Sequence, residues 1–319
     1  MSVPPSPASE KVPTWLWPHL LSLEAPIVAM AWTAGLAHLH RVPAMPGVLP
    51  GLGLCAWIIY VLDRLMDTRG KTEAQLGLRH RFHRRHRLAF LAAVLAGIGL
   101  VIRFGFWTVP ADLMWQSALL SVPVIFYLAL YAAGGSQWFF RGLLPLGGVT
   151  LILFIQSAPL RPNFKMSLTL IISAVLLMLT LKQYQERLRS AMSKDLLGGL
   201  LFALGCTAWS RFVRNGSDPV GGFVEFSLLT CLFVSNLTGI STRELHYRWL
   251  AAGFGAAVGA LALVYQGSLA ASMSTLAASC GIGFVLLLIL DRARASLSEN
   301  AYRVLADVAV LVPVVGLYW

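Results

Sequence analysis

Long apolar runs, recurring from one end of the chain to the other, constrain this sequence more than any motif does. Eleven can be marked, at about 15–40, 47–66, 88–107, 113–133, 143–158, 167–182, 196–213, 222–241, 249–266, 272–290 and 300–318. A span of the bilayer core needs about 20 apolar residues as helix. Lipid offers no hydrogen bonds to the backbone, so such runs must close their own as helices. Pro26, Pro123 and Pro145 interrupt three of them and predict tilted or re-entrant segments. The charged fraction agrees: 12% of 319 residues, against roughly 25% for a soluble domain. The expected fold is an all-α polytopic membrane protein. One transmembrane domain over 14–319 follows a Pro- and Ser-rich tail at 1–13 that reads as disordered and lacks the features of a signal peptide.

Charge sets the orientation. The chain carries +11, which in a soluble protein would suggest nucleic acid. Here the excess lies in short loops between apolar runs, and no nucleic-acid module is present. The stretches 67–87, 183–195, 242–248 and 291–299 hold most of it and fall on one side by span count. The positive-inside rule makes that side cytoplasmic, with the N-terminus, in a cell (inner) membrane. Trp15 and Trp17 read as interfacial anchors. Cys55, Cys206, Cys231 and Cys280 lie inside apolar runs without a CxxC pair and read as packing residues.

Chemistry concentrates at Asp63-Arg64-Leu65-Met66-Asp67, closing the second run, and at the basic stretch 79–87 after it. Carboxylates four residues apart share a helix face. Asp63 and Asp67 could grip one divalent cation, and Mg²⁺ takes one or two carboxylates plus phosphate oxygens. Arg69, Lys71, Arg79, His80 and Lys194 could meet the charge of a diphosphate. The plainer reading is a solvated i,i+4 pair neutralised by Arg64 and Arg69, followed by a loop that fixes topology. A second polar face, Asn236, Ile240 and Glu244, closes the 222–241 run on the same side. Asn236 and Glu244 could complete a metal site. Alternatively, Asn236 makes an interhelical hydrogen bond and Glu244 sits solvated beside Arg243. Lys194-Asp195 opens another run, with Asp195 expected as helix cap and Gly198, Gly199 and Gly205 allowing close helix approach. His80, His83 and His86 lack an acid or thiol to complete a zinc set and suit phosphate or plain loop charge. Tyr60 and Trp57 add aromatic faces to the second run, of the kind that can meet a cation.

These residues resemble the UbiA superfamily of intramembrane prenyltransferases, in an uncharacterised bacterial branch. Asp63 and Asp67 match the last two acids of its first motif, with Ile59 and Tyr60 where the family has Asn and Asp. The following basic loop and KDLLGGLLFALG (194–205) are also similar. The resemblance implies a UbiA-like bundle of nine to eleven transmembrane segments, with any surplus segments inserted within 134–182. It implies Mg²⁺ at Asp63, Asp67, Asn236 and Glu244, an isoprenyl diphosphate substrate, and a cavity open to membrane lipid. Asp63, Asp67 and Glu244 would be the catalytic acids. Lys182 to Glu186 is the lesser candidate for the second motif. A prenyltransferase, a terpene cyclase on the same scaffold, and a non-catalytic transporter or lipid-binding protein all remain open.

Overall fold

The computed structural model describes residues 13–43, 45–131, 193–214, 218–241, 245–267 and 269–319, with isolated positions between 148 and 173. In chain order the helices are α1 (Trp17–Leu20), α2 (Glu24–Leu39), α3 (Val48–Asp67), α4 (Leu78–Arg85), α5 (Arg87–Thr108) and α6 (Ala111–Tyr131). Then follow α7 (Lys194–Arg214), α8 (Pro219–Ser241), α9 (Leu245–Val264), α10 (Ala270–Arg292) and α11 (Glu299–Leu311), which runs on as a 3₁₀ stretch, Val312–Tyr318. No strand occurs among the described residues.

Among the described residues six helices are long and apolar enough to cross a membrane: α3, α6, α7, α8, α10, and α11 with its 3₁₀ extension. Two bent pairs raise the number to as many as eight. The chain is thus an all-helical, multi-pass membrane protein by the length and composition of its helices. The expected segment 15–40 is not one helix. It breaks by 80° between residues 20 and 24, where Ser22 takes φ 57, an uncommon conformation for a non-glycine residue. The Ser22 hydroxyl pairs with His83 Nε2 at 3.2 Å, pinning the corner to α4. The second break, 79°, falls between α4 and α5. It lays the basic run along α4 instead of leaving it as a loop. Expected segments 143–158 and 167–182, and the lesser motif at 182–186, lie outside the described residues apart from isolated positions.

α8 is the most buried of the spanning candidates and packs against α7, α9, α10 and α11. Small residues permit this. A Cβ on Gly199 of α7 would come 2.8 Å from the backbone nitrogen of Val234 on α8, so the two backbones meet there without a side chain between them. Trp32, Leu228, Leu232, Cys280 and Val310 fill the shared core, with Cys206 beside them. Trp32 Nε1 donates to Val310 O at 3.0 Å, and the Thr33 hydroxyl to Cys206 O at 3.1 Å. Leu95, Ile102, Leu263 and Val285 point outward, as lipid-facing residues do. The four cysteines are unpaired.

At the end of the bundle away from Asp67, Glu225 on α8 is fully buried. It pairs with His40 at 2.8 Å and Arg214 at 2.6 Å, and accepts from Ser210 at 2.9 Å. A buried charge needs partners of this kind, and these tie α7, α8 and the end of α2 together.

Candidate functional site

A cavity of about 630 Å³ opens among α2, α3, α4, α6, α7, α8 and α11, within the ~300–1,000 Å³ typical of small-molecule sites. Its polar end is built from helix termini. α3 ends at Asp67, stopped by Thr68 and by Gly70 at φ 71, a left-handed conformation that glycine adopts freely. That places Asp63 one turn inside the end and Asp67 at it. α7 begins beside them with Lys194, capped by Ser193, whose Oγ accepts from Leu196 N at 3.2 Å. Asp195 is therefore not the cap. It occupies the first turn, where an acid suits the helix dipole, and accepts from Ser241 Oγ of α8 at 2.5 Å.

Lys194 organises the cluster. Its Nζ lies 2.9 Å from Asp63 Oδ1 and 3.0 and 3.1 Å from the two oxygens of Asp67. Both carboxylates thus converge on one cation position. Arg64 Nη1 stands 3.7 Å from each carboxylate, with its guanidinium 4.5 Å from the centre of the Tyr60 ring. Tyr127 donates to Asp63 at 3.4 Å. His80 Nε2 is 3.9 Å from Asp67, too far for a hydrogen bond. Arg79, almost fully buried, reaches Glu24 at 3.7 Å, and Glu24 is also held by His19 at 2.6 Å. α4 is seated by His83, which donates from Nδ1 to Arg79 O at 2.9 Å and stacks on Phe90. Burial pulls the His83 imidazole down to about 4, so it is neutral at pH 7.

Away from this cluster the wall is apolar: Val28, Ala29, Leu52, Leu201, Phe202 and Phe233 line it. One cavity therefore joins a strongly charged mouth to an apolar interior.

Of the nine residues offered for metal or diphosphate, seven line this cavity: Asp63, Asp67, Lys71, Arg79, His80, Lys194 and Asn236. Arg69 is exposed and is not among the lining. Glu244 lies outside the described residues. Asn236 makes the interhelical bond, donating from Nδ2 to Asp307 Oδ1 at 2.9 Å. Trp57 does not reach the cavity and instead donates to Leu21 O at 2.9 Å. Tyr60 does reach it, but covered by Arg64, with Arg79 5.7 Å from its ring centre. The remaining aromatic wall is Tyr127, Tyr131, Phe202 and Phe233. Sequence reasoning missed Asp307, Arg303 and Glu24. Asp307 had one signal: it is an acid in the middle of the last apolar run.

The two α3 carboxylates fit a hard divalent cation. They offer oxygen donors focused on a single point, and Lys194 Nζ occupies that point as a built-in cation. Among the described residues no group of three or more His, Cys, Asp or Glu converges to hold a metal, so the other ligands would be waters or substrate phosphate.

No protein-family model matches the chain, nor does any curated protein or any solved structure.

Proposed function

We propose that the protein binds an isoprenyl diphosphate in this cavity and ionises it with Mg²⁺, passing the prenyl cation to an acceptor. One observation carries the reading: a single cavity places Asp63, Asp67, Arg64, Arg79 and Lys194 at one end and an apolar, partly aromatic wall beyond them. Its ligand is an amphiphile with an anionic head and an apolar tail. Arg64, Arg79 and Lys71 meet the head, and Lys194 moves from the carboxylates to the departing phosphate. Asp63 and Asp67 would hold the metal, which when bound stabilises charge on the leaving group. The apolar wall keeps water from the cation. On this reading the chain is a UbiA-like bundle of nine to eleven spans in the cell membrane, with the mouth cytoplasmic and Glu244 near it.

Terpene cyclisation, with the chain's own double bond as the trap, uses the same first step and shares the proposal up to that point. A non-catalytic reading is favoured by one observation. Lys194 already neutralises the carboxylate pair, so the cavity could hold an isoprenoid phosphate without metal and without breaking it. The test is pyrophosphate release by purified protein from geranyl, farnesyl and geranylgeranyl diphosphate. The enzyme reading expects release that EDTA and Asp67→Asn each abolish. Tight binding with no release at any chain length would move the assignment to a lipid-phosphate carrier.

A further inference from the structure

The cavity contains a carboxylate that the diphosphate reading leaves unused. Asp307 sits two turns into α11, on the same face as Glu299 and Arg303. Eight residues of helix place it roughly 12 Å from the start of α11, whereas Asp63 lies roughly 6 Å from the end of α3. Asp307 is therefore set back from the start of α11, level with Asn236 of α8, and lines the cavity. Its one hydrogen-bond partner among the described residues is Asn236, at 2.9 Å. No cation stands within ion-pair distance of it among them. The nearby charges are committed elsewhere: Arg303 to Glu299 at 2.5 Å, and Glu24 to Arg79 and His19. Asn236 directs its amide N–H at Asp307 and leaves its own Oδ1 buried without a partner. An ionisable side chain at membrane depth calls for a partner or a function. Among the described residues Asp307 has a hydrogen-bond partner in Asn236 and no ion-pair partner.

We propose that Asp307 is the counter-charge for a positive centre carried by the ligand: the allylic cation formed when the diphosphate leaves. This rests on the ionising reading above. A head group held at Lys194, Arg64 and Arg79 puts the first prenyl carbon below the mouth, on the side of Asp307. When the C1–O bond breaks, both electrons leave with the diphosphate oxygen, and C1 and C3 share the positive charge. No proton moves in this step. A fixed carboxylate facing that charge stabilises the transition state more than the neutral ground state. Phe202 and Phe233, edge to face at 4.7 Å, line the same wall and present further electron-rich surface. Asn236 is the positioning residue, holding the carboxylate through Oδ1 and leaving Oδ2 toward the ligand.

The experiment uses the full-length protein in nanodiscs with Mg²⁺ and pyrophosphate. Three probes are titrated: a farnesyl trimethylammonium, its neutral tert-butyl isostere, and a non-ionisable farnesyl thiolodiphosphate (the last without pyrophosphate). The wild type should prefer the cation over its isostere by at least about tenfold, or 1.4 kcal/mol. Asp307→Asn should abolish that preference and leave thiolodiphosphate affinity within about threefold, the latter also reporting that the variant is folded. Asp307→Glu should recover part of the preference. Single-turnover pyrophosphate release should fall about 100-fold or more in Asp307→Asn, the size of loss seen when one preorganised electrostatic group is removed. Equal binding of cation and isostere by the wild type would overturn the proposal, as would a preference that survives Asp307→Asn. If Asp307→Asn is not recovered folded, Asp307→Ser is read in the same way. Failure of the wild type to bind the thiolodiphosphate would instead overturn the ionising reading. The ammonium preference would then decide whether Asp307 is a cation subsite in its own right.

Discussion

Lys194 shows how far individual residues explain this site. Its ammonium lies nearer both α3 carboxylates than Arg64 does, at 2.9 and 3.0 Å against 3.7 Å, and it is only partly buried, so its charge is tolerable in either of two positions. Removing it leaves two carboxylates facing each other, with Arg64 at 3.7 Å from each and His80 at 3.9 Å from Asp67 as the remaining bases among the described residues. Lys194→Met should therefore lower thermal stability in the absence of divalent metal. The same variant should bind Mg²⁺ at least about tenfold more tightly than the wild type, because no ammonium has to be displaced. Isothermal titration checks the affinity, and the melting temperature with and without Mg²⁺ checks the coupling. The Asp63–Asp67 pair was legible in the sequence because i,i+4 spacing is a local property. The Asn236–Asp307 bond was not. It joins residues 71 apart in the chain, and only helix packing brings them together.

At the scale of elements, α4 and the α7–α8 contact are the sensitive points. α4 carries Arg79 and His80 into the mouth, and neutral His83 holds its underside against Ser22. A histidine whose folded pKa, about 4, lies below its unfolded value near 6.5 takes up its proton more readily when α4 is undocked. Its contribution is complete above about pH 6.5 and is lost as the pH falls toward 4. The opening equilibrium of residues 78–85, from hydrogen exchange corrected for the intrinsic rate at each pH, should rise over that window and stay flat from pH 7 to 8. A rise that begins above pH 7 would contradict the role given to His83. The α7–α8 contact depends on Gly199. Gly199→Ala places a methyl against the Val234 backbone and should cost about 1–3 kcal/mol by forcing the helices apart, read as a lowered melting temperature. The glycines of α7 were visible as a packing signal in the sequence. The corner at Ser22 was not, because an apolar run gives no sign of a turn whose polar group is satisfied by a distant histidine.

Across the whole molecule, composition alone determined the helical, multi-pass character, since lipid-soluble helices must be apolar throughout their length. Which apolar runs cross and which bend was not encoded in that signal. α1–α2 reads as one run yet folds as a bent pair, and the stretch read as a basic loop forms α4, the first arm of the bent pair α4–α5. The cavity was legible at its mouth, where charged residues announce themselves, and silent in its depth, where Leu52, Phe202 and Phe233 look like ordinary core. That depth should set which tails fit. Gly205 lines the cavity with Leu52 the nearest neighbour, 3.6 Å from where its Cβ would be. Gly205→Leu should shift the preference toward shorter prenyl diphosphates, measured as a change in relative kcat/KM between geranylgeranyl and geranyl substrates. The most direct test of the account is a structure of the full-length protein with Mg²⁺ and farnesyl thiolodiphosphate. The account predicts a metal between Asp63 and Asp67, Lys194 moved onto the diphosphate, and the prenyl tail along Phe202 and Phe233. A cavity filled by lipid tails, with Lys194 still seated on both carboxylates and the analogue bound elsewhere, would contradict it.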